Sequence, residues 1–171
     1  MKKLFKMKNI EQLNISRWQL AALTILRITI GWHFLYEGLI KVMNPEWSAI
    51  SYLNGASGPF ASLFKSLASN LAAIEVVNLL NQWGLAIIGL SLMIGLFSRW
   101  ACLGGMALLA LYYFANPPFI GLNHVSMVEG NYLIVNKNLV ELFALWVLFQ
   151  FPSSKITGID RFFNSTQKAN E

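Results

Sequence analysis

The sequence predicts an all-α fold: an integral membrane four-helix bundle with an amphipathic interfacial helix in its first outer loop. Of the 171 residues, 56% are hydrophobic and only 12% are charged, whereas soluble domains are about 25% charged. Four apolar stretches approach the ~20 residues that cross a hydrocarbon core about 30 Å thick. The basic residues also concentrate on one side of these stretches, which is typical of a membrane protein.

The whole chain, residues 1–171, is predicted to form one transmembrane domain. The predicted spans are the apolar stretches at about 18–43, 76–97, 100–116 and 133–151. The third ends at Pro117 and the fourth at Pro152, because proline cannot continue a helix. Only Ser98 and Arg99 join the second span to the third, which predicts a tight antiparallel hairpin.

The distribution of Lys and Arg predicts the orientation. One side collects the basic residues of both tails and of the turn after the second span: Lys2, Lys3, Lys6, Lys8, Arg17, Arg99, Lys155, Arg161 and Lys168. The other side has Lys65 and Lys137. By the positive-inside rule, both termini are predicted to be cytoplasmic in a multi-pass protein of a bacterial-type inner membrane. The net charge of +5 then faces anionic lipid rather than nucleic acid, and no cleavable signal peptide is apparent.

The first outer loop contains the stretch PFASLFKSLASNLAAI, residues 59–74. Its apolar residues recur at helical spacing: Phe60, Leu63, Phe64, Leu67, Leu71 and Ile74. Lys65 and Asn70 fall on the other side. This pattern predicts an amphipathic helix that lies in the outer interface or folds back over the bundle.

The stretch RITIGWHFLYEGLIK, residues 27–41, places ionisable groups inside the first span. At 100° per residue, one stripe of the helix consists of Arg27, Gly31, Phe34, Gly38 and Lys41. His33 and Glu37 flank this stripe. Because charges are unfavourable in lipid, the stripe is predicted to face the interior of the bundle, and its glycines allow another backbone to approach closely.

The polar residues of three spans are predicted to reach similar depths. Glu37, Glu141 and Asn81 should lie roughly 10 Å below the outer edge of the hydrocarbon, with Lys41 nearer the rim and Arg27 near the midplane. Glu37 and Lys41 are spaced to pair on one helix. Two interpretations remain open: a functional polar pocket in the outer half of the bundle, or ionisable groups that satisfy one another structurally.

Several functional classes are disfavoured. The single cysteine, Cys102, excludes an internal disulfide or a CxxC pair, and it suits a small packing residue. A haem would need His33 and His124 at matched depth, which their positions do not favour, and no metal site is predicted. No motif of a hydrolase or a nucleotide-binding protein is present.

Three stretches resemble the DoxX/DoxD family. RITIGWHFLYEGLIK is similar to its first helix, with Arg27, Gly31, Gly38 and Lys41 in place, and GLSLMIGLFSRWA is similar to the end of its second helix. KNLVELFALWVLFQF followed by Gly158-Ile159-Asp160 is similar to its last helix and tail. The resemblance covers nearly the whole chain, including the four-helix plan.

The resemblance implies membrane redox chemistry, because DoxD is the small membrane subunit of a thiosulfate:quinone oxidoreductase. A quinone would then be a substrate, with no covalent cofactor. Arg27, Lys41, Asn81 and His33 would contact the substrate, and the carboxylates Glu37 and Glu141 would relay protons. Thiosulfate would favour Lys41 and Lys137 at the outer rim.

The same resemblance leaves alternatives open, because other DoxX-like proteins belong to oxidative-stress complexes. The chain could be a non-catalytic membrane anchor or an assembly factor of such a complex, and a small-solute transporter or channel is a third hypothesis. The chain has no recognisable site for an electron carrier, so it would either bring quinone and donor together directly or rely on a partner subunit of a redox complex. The chain could also form a homo-oligomer.

Overall fold

A computed structural model describes residues 15–118 and 133–162, whose regular elements are helices. In chain order they are α1 (Arg17–Met43), α2 (Ile50–Asn54), α3 (Ala61–Ser69), α4 (Leu71–Leu79), a π-helical turn (Leu80–Gly84), α5 (Leu85–Ile94), α6 (Ser98–Ala115), α7 (Lys137–Gln150) and α8 (Ser154–Thr157). The predicted outer loop with His124, and most of the basic tail residues, lie outside the described residues.

Helix α1 covers the first predicted apolar stretch, and its buried residues confirm the predicted interior stripe. The helix begins with a capping box, in which the Ser16 side chain accepts from the Gln19 backbone and the Gln19 side chain accepts from the Ser16 backbone. This arrangement satisfies donors that the first helical turn would otherwise leave unpaired. The buried residues of α1 are Arg27, Ile30, Gly31, Phe34 and Gly38. They follow the stripe that helical periodicity predicted.

Glycines bring the backbones of α1 and α5 into contact. A Cβ on Gly38 would lie 2.9 Å from the Ala86 Cα, and one on Gly89 would lie 2.6 Å from the Gly31 carbonyl oxygen. Such approaches exclude any side chain, so the close packing of the two helices depends on glycine. Gly84 differs, because a Cβ there would meet nothing within 4 Å.

The second predicted span begins earlier than expected. Among the described residues, the one helix long and apolar enough to cross a membrane is the continuous segment Leu71–Ile94, with 24 residues. The prediction started this span at residue 76 and extended it to residue 97. The helix instead ends at Ile94, because Gly95 takes the left-handed conformation with φ 71° and closes its last turn.

The third and fourth spans also shift at their starts. Helix α6 begins at Ser98, so Gly95–Phe97 form the turn that was predicted at Ser98 and Arg99. Helix α7 begins at Lys137, four residues after the predicted start, because the Asn136 side chain accepts from the Leu139 backbone and caps it. Its 14 residues are fewer than the ~20 that a straight span requires.

The predicted interfacial helix is two helices rather than one. Helix α3 ends at Ser69, and the Asn70 side chain then accepts from the Ala73 backbone to start α4. The predicted apolar face is therefore divided between two helices: Ile74 of α4 is buried in the same small core as Phe64, whereas Leu71 is 82% exposed. A short helix that was not predicted, α2, precedes α3. Phe64 packs with Leu53 of α2 in a small core that is separate from the core of the long helices.

Helices α2 and α3 form a cap over one end of the long helices. The backbone nitrogen of Ser57 donates to the carbonyl oxygen of Ala115 at 2.9 Å, which ties the loop between α2 and α3 to the end of α6. The Asn78 side chain accepts from the Ala49 backbone at 2.8 Å and ties the start of α2 to α4. We call this end of the molecule the cap end.

Candidate functional site

A cavity of about 540 Å³ lies at the cap end, between the cap and the long helices. The predicted site residues that line it are His33, Glu37, Lys41, Asn81 and Glu141. They come from α1, the π-helical turn and α7, which are far apart in sequence. Apart from these and a few other polar residues, the wall is apolar, with Phe34, Leu53 and Leu85 among the lining residues.

The first polar pair of the cavity joins α1 to α7. The Nδ1 atom of His33 and the Oε1 atom of Glu141 are 2.5 Å apart. This contact links α7 to α1, and within it the Glu141 side chain is 14% exposed and the His33 side chain is 41% exposed. The contact places a hydrogen bond between the two helices at the edge of the cavity.

The second pair confirms the predicted spacing on α1. The Lys41 Nζ donates to the Glu37 Oε2 at 2.9 Å, one helical turn away. The ammonium also lies 5.6 Å from the centre of the Trp47 ring, a cation–π contact that restricts its position. Trp47 lines the cavity as well, so its indole is part of the wall.

The third pair involves a tyrosine that sequence reasoning missed. The Tyr112 hydroxyl of α6 donates to the Asn81 Oδ1 at 2.5 Å, and the Asn81 Nδ2 donates to the Val77 carbonyl oxygen. Asn81 belongs to the π-helical turn, a distortion that is frequent at functional sites. The signal in the sequence was the pair of tyrosines, 112 and 113, in an otherwise apolar span. Only the docking of α6 shows which of them faces the cavity.

Tyr52 of the cap supports Tyr112 from above. Its hydroxyl donates to the Tyr112 carbonyl oxygen at 3.1 Å, and the two rings meet edge to face. Burial raises the pKa of the Tyr52 phenol above its ordinary value, so this group remains a donor at neutral pH. The cap therefore contributes a hydrogen bond as well as apolar cover to the site.

Arg27 is the predicted site residue that does not line the cavity. It lies 14 residues before Lys41, which corresponds to about 21 Å along a helix, and it is buried at the opposite end of the bundle. There its guanidinium lies between Gly95 and Gly158, where a side chain on either glycine would collide with Nη1. The structure thus separates Arg27 from the other candidates and places it where the last segment meets the α5–α6 turn.

The arrangement suits a flat apolar ligand with polar atoms at its edge. Most of the wall is apolar, and the three polar pairs offer hydrogen-bond donors and acceptors from different sides. Lys137 also lines the cavity, so the site carries two ammonium groups beside two carboxylates. Among the described residues, no group of three or more His, Cys, Asp or Glu side chains is placed to hold a metal ion.

Comparison with models of known protein families finds a match. The family model described as DoxX matches residues 22–116, more than half of the chain. The matched range runs from α1 to the end of α6 and includes His33, Glu37, Lys41, Asn81 and Tyr112, whereas Glu141 lies beyond it. Searches of curated proteins and of solved structures found no match.

Proposed function

The chain belongs to the DoxX family, a membrane family, and we propose that it is the membrane subunit of a quinone-linked oxidoreductase. The observation that carries the proposal is the cavity at the cap end. It gathers ionisable and amide side chains from three separate helices into a mostly apolar pocket. Ionisable groups within membrane-spanning helices are a default sign of function in a membrane protein.

The proposal includes four membrane crossings, by α1, α4–α5, α6 and α7, with both termini cytoplasmic. Its support is the apolar surface that each helix exposes. Exposed side chains on the four segments include Trp32, Tyr36 and Ile40; Leu80, Ile87 and Leu90; Leu103 and Leu111; and Phe143, Trp146 and Val147. So many exposed apolar side chains on every long helix suit contact with lipid, because a soluble protein rarely leaves large apolar patches uncovered.

A quinone fits the chemistry of the cavity. Its ring is flat and apolar, and its two carbonyl oxygens accept hydrogen bonds. In the proposed complex, one oxygen meets the His33–Glu141 pair and the other meets the Tyr112–Asn81 pair. Reduction to the quinol takes up two electrons and two protons. The His33–Glu141 pair would deliver protons to the quinone oxygen, and the Glu37 carboxylate would exchange them with the solvent.

The electrons must come from a reductant, and the family resemblance suggests thiosulfate. Lys41 and Lys137 line the cavity and would attract such an anion to its mouth. A partner subunit would bind or oxidise the donor. The same chain without quinone binding would correspond to the alternative, a membrane anchor of a redox complex.

Quinone binding tests the proposal. Purified protein in detergent, titrated with a short-chain ubiquinone or menaquinone, should quench tryptophan fluorescence with saturation. Glu141→Gln keeps the shape of the side chain but removes its charge and its proton exchange, so we expect binding to weaken about tenfold. Glu75→Gln is the matched control, because Glu75 is exposed on α4 and does not line the cavity.

Two outcomes would contradict the proposal. One is the absence of saturable binding for both quinones in folded protein, which would favour the anchor. The other is an equal effect of Glu141→Gln and Glu75→Gln on quinone affinity, which would show that the cavity is not the binding site. Turnover with thiosulfate requires the partner subunit, so binding is the first measurement.

A further inference from the structure

A second cleft lies at the end of the bundle opposite the cap, where α5 turns into α6. It has a volume of about 270 Å³, and its lining includes Arg99, Trp100, Lys155 and Asp160. The C-terminal segment closes one side of it, because the Ile159 backbone donates to the Ile94 carbonyl oxygen and the Asp160 backbone donates to the Gly95 carbonyl oxygen. The proposed quinone function does not use this cleft.

The acidic residue of the cleft is fully engaged. The Asp160 carboxylate accepts from the backbone nitrogens of Phe97 and Ser98, at 2.8 and 3.2 Å, and from the Ser154 hydroxyl at 2.8 Å. It therefore caps α6 from a distant part of the chain. Because this carboxylate already occupies the start of α6, the helix terminus itself is not a site for an external anion.

The two cations of the cleft lack such partners. Neither Arg99 nor Lys155 forms an ion pair in the part of the chain that the structure describes. The Arg99 guanidinium lies 5.6 Å from the centre of the Phe149 ring, and its buried Nε has no hydrogen-bond partner among the described residues. Buried donors are normally paired, so an unpaired one at a cleft indicates a missing acceptor.

Aromatic side chains lie at the same end of the molecule. Trp100 is 73% exposed and Trp18 is 85% exposed, and each directly follows an arginine in the sequence. The Thr24 and Thr157 hydroxyls, 3.0 Å apart, join α1 to α8 and fix this level of the two helices. Tryptophan and arginine together are typical of the boundary between lipid tails and headgroups.

We propose that the cleft binds the phosphate of an anionic phospholipid headgroup between Arg99 and Lys155. Arginine offers parallel N–H donors to phosphate oxygens, and lysine adds a mobile positive charge. Trp100 at the rim would lie beside the glycerol region. The lipid tails would cover the exposed apolar side chains Ile94 and Leu103. A free phosphate would satisfy the same cations but would leave these apolar groups uncovered.

Native mass spectrometry of delipidated protein measures this binding. We expect the wild type to retain phosphatidylglycerol in clear preference to phosphatidylcholine. The double variant Arg99→Gln/Lys155→Gln should weaken phosphatidylglycerol binding roughly tenfold or more, since each cation near an anionic lipid contributes substantially. Lys65→Gln is the control, because Lys65 is exposed on α3 at the cap end, and it should change binding less than twofold.

A competition experiment separates the two sources of phosphate. Inorganic phosphate at millimolar concentration should leave the lipid bound, whereas displacement by phosphate would show a soluble ligand and overturn the proposal. An unchanged preference in the double variant would overturn it as well. If the double variant does not fold, Lys155→Gln decides the matter, because Lys155 is exposed. It should weaken lipid binding about threefold, and an effect no larger than that of Lys65→Gln would contradict the assignment.

Discussion

At the scale of single residues, the two side chains of the Glu37–Lys41 pair differ in their exposure to solvent. The Glu37 side chain is 46% exposed, while the Lys41 side chain is 16% exposed. Replacing Lys41 with methionine leaves a carboxylate that water still reaches, so we expect a loss of about 1 kcal/mol in the free energy of unfolding. A fully buried pair would lose about 3–5 kcal/mol.

A double-mutant cycle measures the interaction within this pair. Denaturant titration in detergent should show that Glu37→Gln/Lys41→Met is less destabilising than the sum of the two single changes. Strict additivity would mean that the 2.9 Å hydrogen bond contributes nothing to stability. It would also remove the reason to treat the two groups as one unit in the cavity.

Phenylalanine substitutions at Tyr112 and Tyr113 distinguish a role in quinone binding from a role in stability alone. Tyr112 donates to Asn81 inside the cavity, and Tyr113 donates to the Ile134 carbonyl oxygen. Either substitution by phenylalanine removes one hydrogen bond, so each should lower the free energy of unfolding by about 1 kcal/mol. Only Tyr112→Phe should weaken quinone binding, by about two- to tenfold. Equal quinone affinities in the two variants would exclude the Tyr112 hydroxyl from the site.

At the scale of elements, the contact of α1 with α5 predicts opposite results for two glycines. Gly89→Ala would put a methyl group 2.6 Å from the Gly31 carbonyl oxygen, so the helices would have to separate and thermal stability should fall clearly. Gly84→Ala meets nothing within 4 Å and should be neutral or stabilising by up to about 1 kcal/mol, because alanine favours helix. A thermal shift in the same direction for both would show that the helices pack differently.

The sequence predicted elements better than it predicted their ends and contacts. Periodicity identified the buried stripe of α1, because the residues that face the interior of a helix must repeat at helical spacing. It could not locate the break at Asn70, where one side-chain hydrogen bond decides between a continued helix and a new one. The Tyr112–Asn81 pair was also not predictable, since it depends on the rotation of α6 about its axis.

The position of Arg27 illustrates the same limit. The sequence placed it correctly on the interior stripe, but a stripe extends along the whole length of a helix. Distance along the axis then separates Arg27 from the cavity residues of the same stripe. Its neighbours, Gly95 and Gly158, come from distant parts of the chain. Such contacts become visible only when the elements are assembled.

At the scale of the whole molecule, the two ends differ in their chemistry. The cap end contains mixed charges in hydrogen-bonded pairs around a cavity, and the opposite end contains Arg99 and Lys155 around a shallow cleft. The orientation predicted from the basic residues would place the cap outside and the α5–α6 turn in the cytoplasm.

Cysteine labelling in intact cells tests the proposed orientation. The native Cys102 is 1% exposed, so it should not react with a membrane-impermeant maleimide. Replacing it with serine gives a cysteine-free background for the labelling. In that background, Asn54→Cys in α2 should be labelled in intact cells. Ile156→Cys in α8 should be labelled only after the membrane is opened, although both positions are exposed in the structure.

The reverse pattern would place the cap in the cytoplasm, where the cavity would exchange protons with the inner solution. Labelling of both positions in intact cells would mean that the two ends lie on the same side, and the proposal of four crossings would then fail.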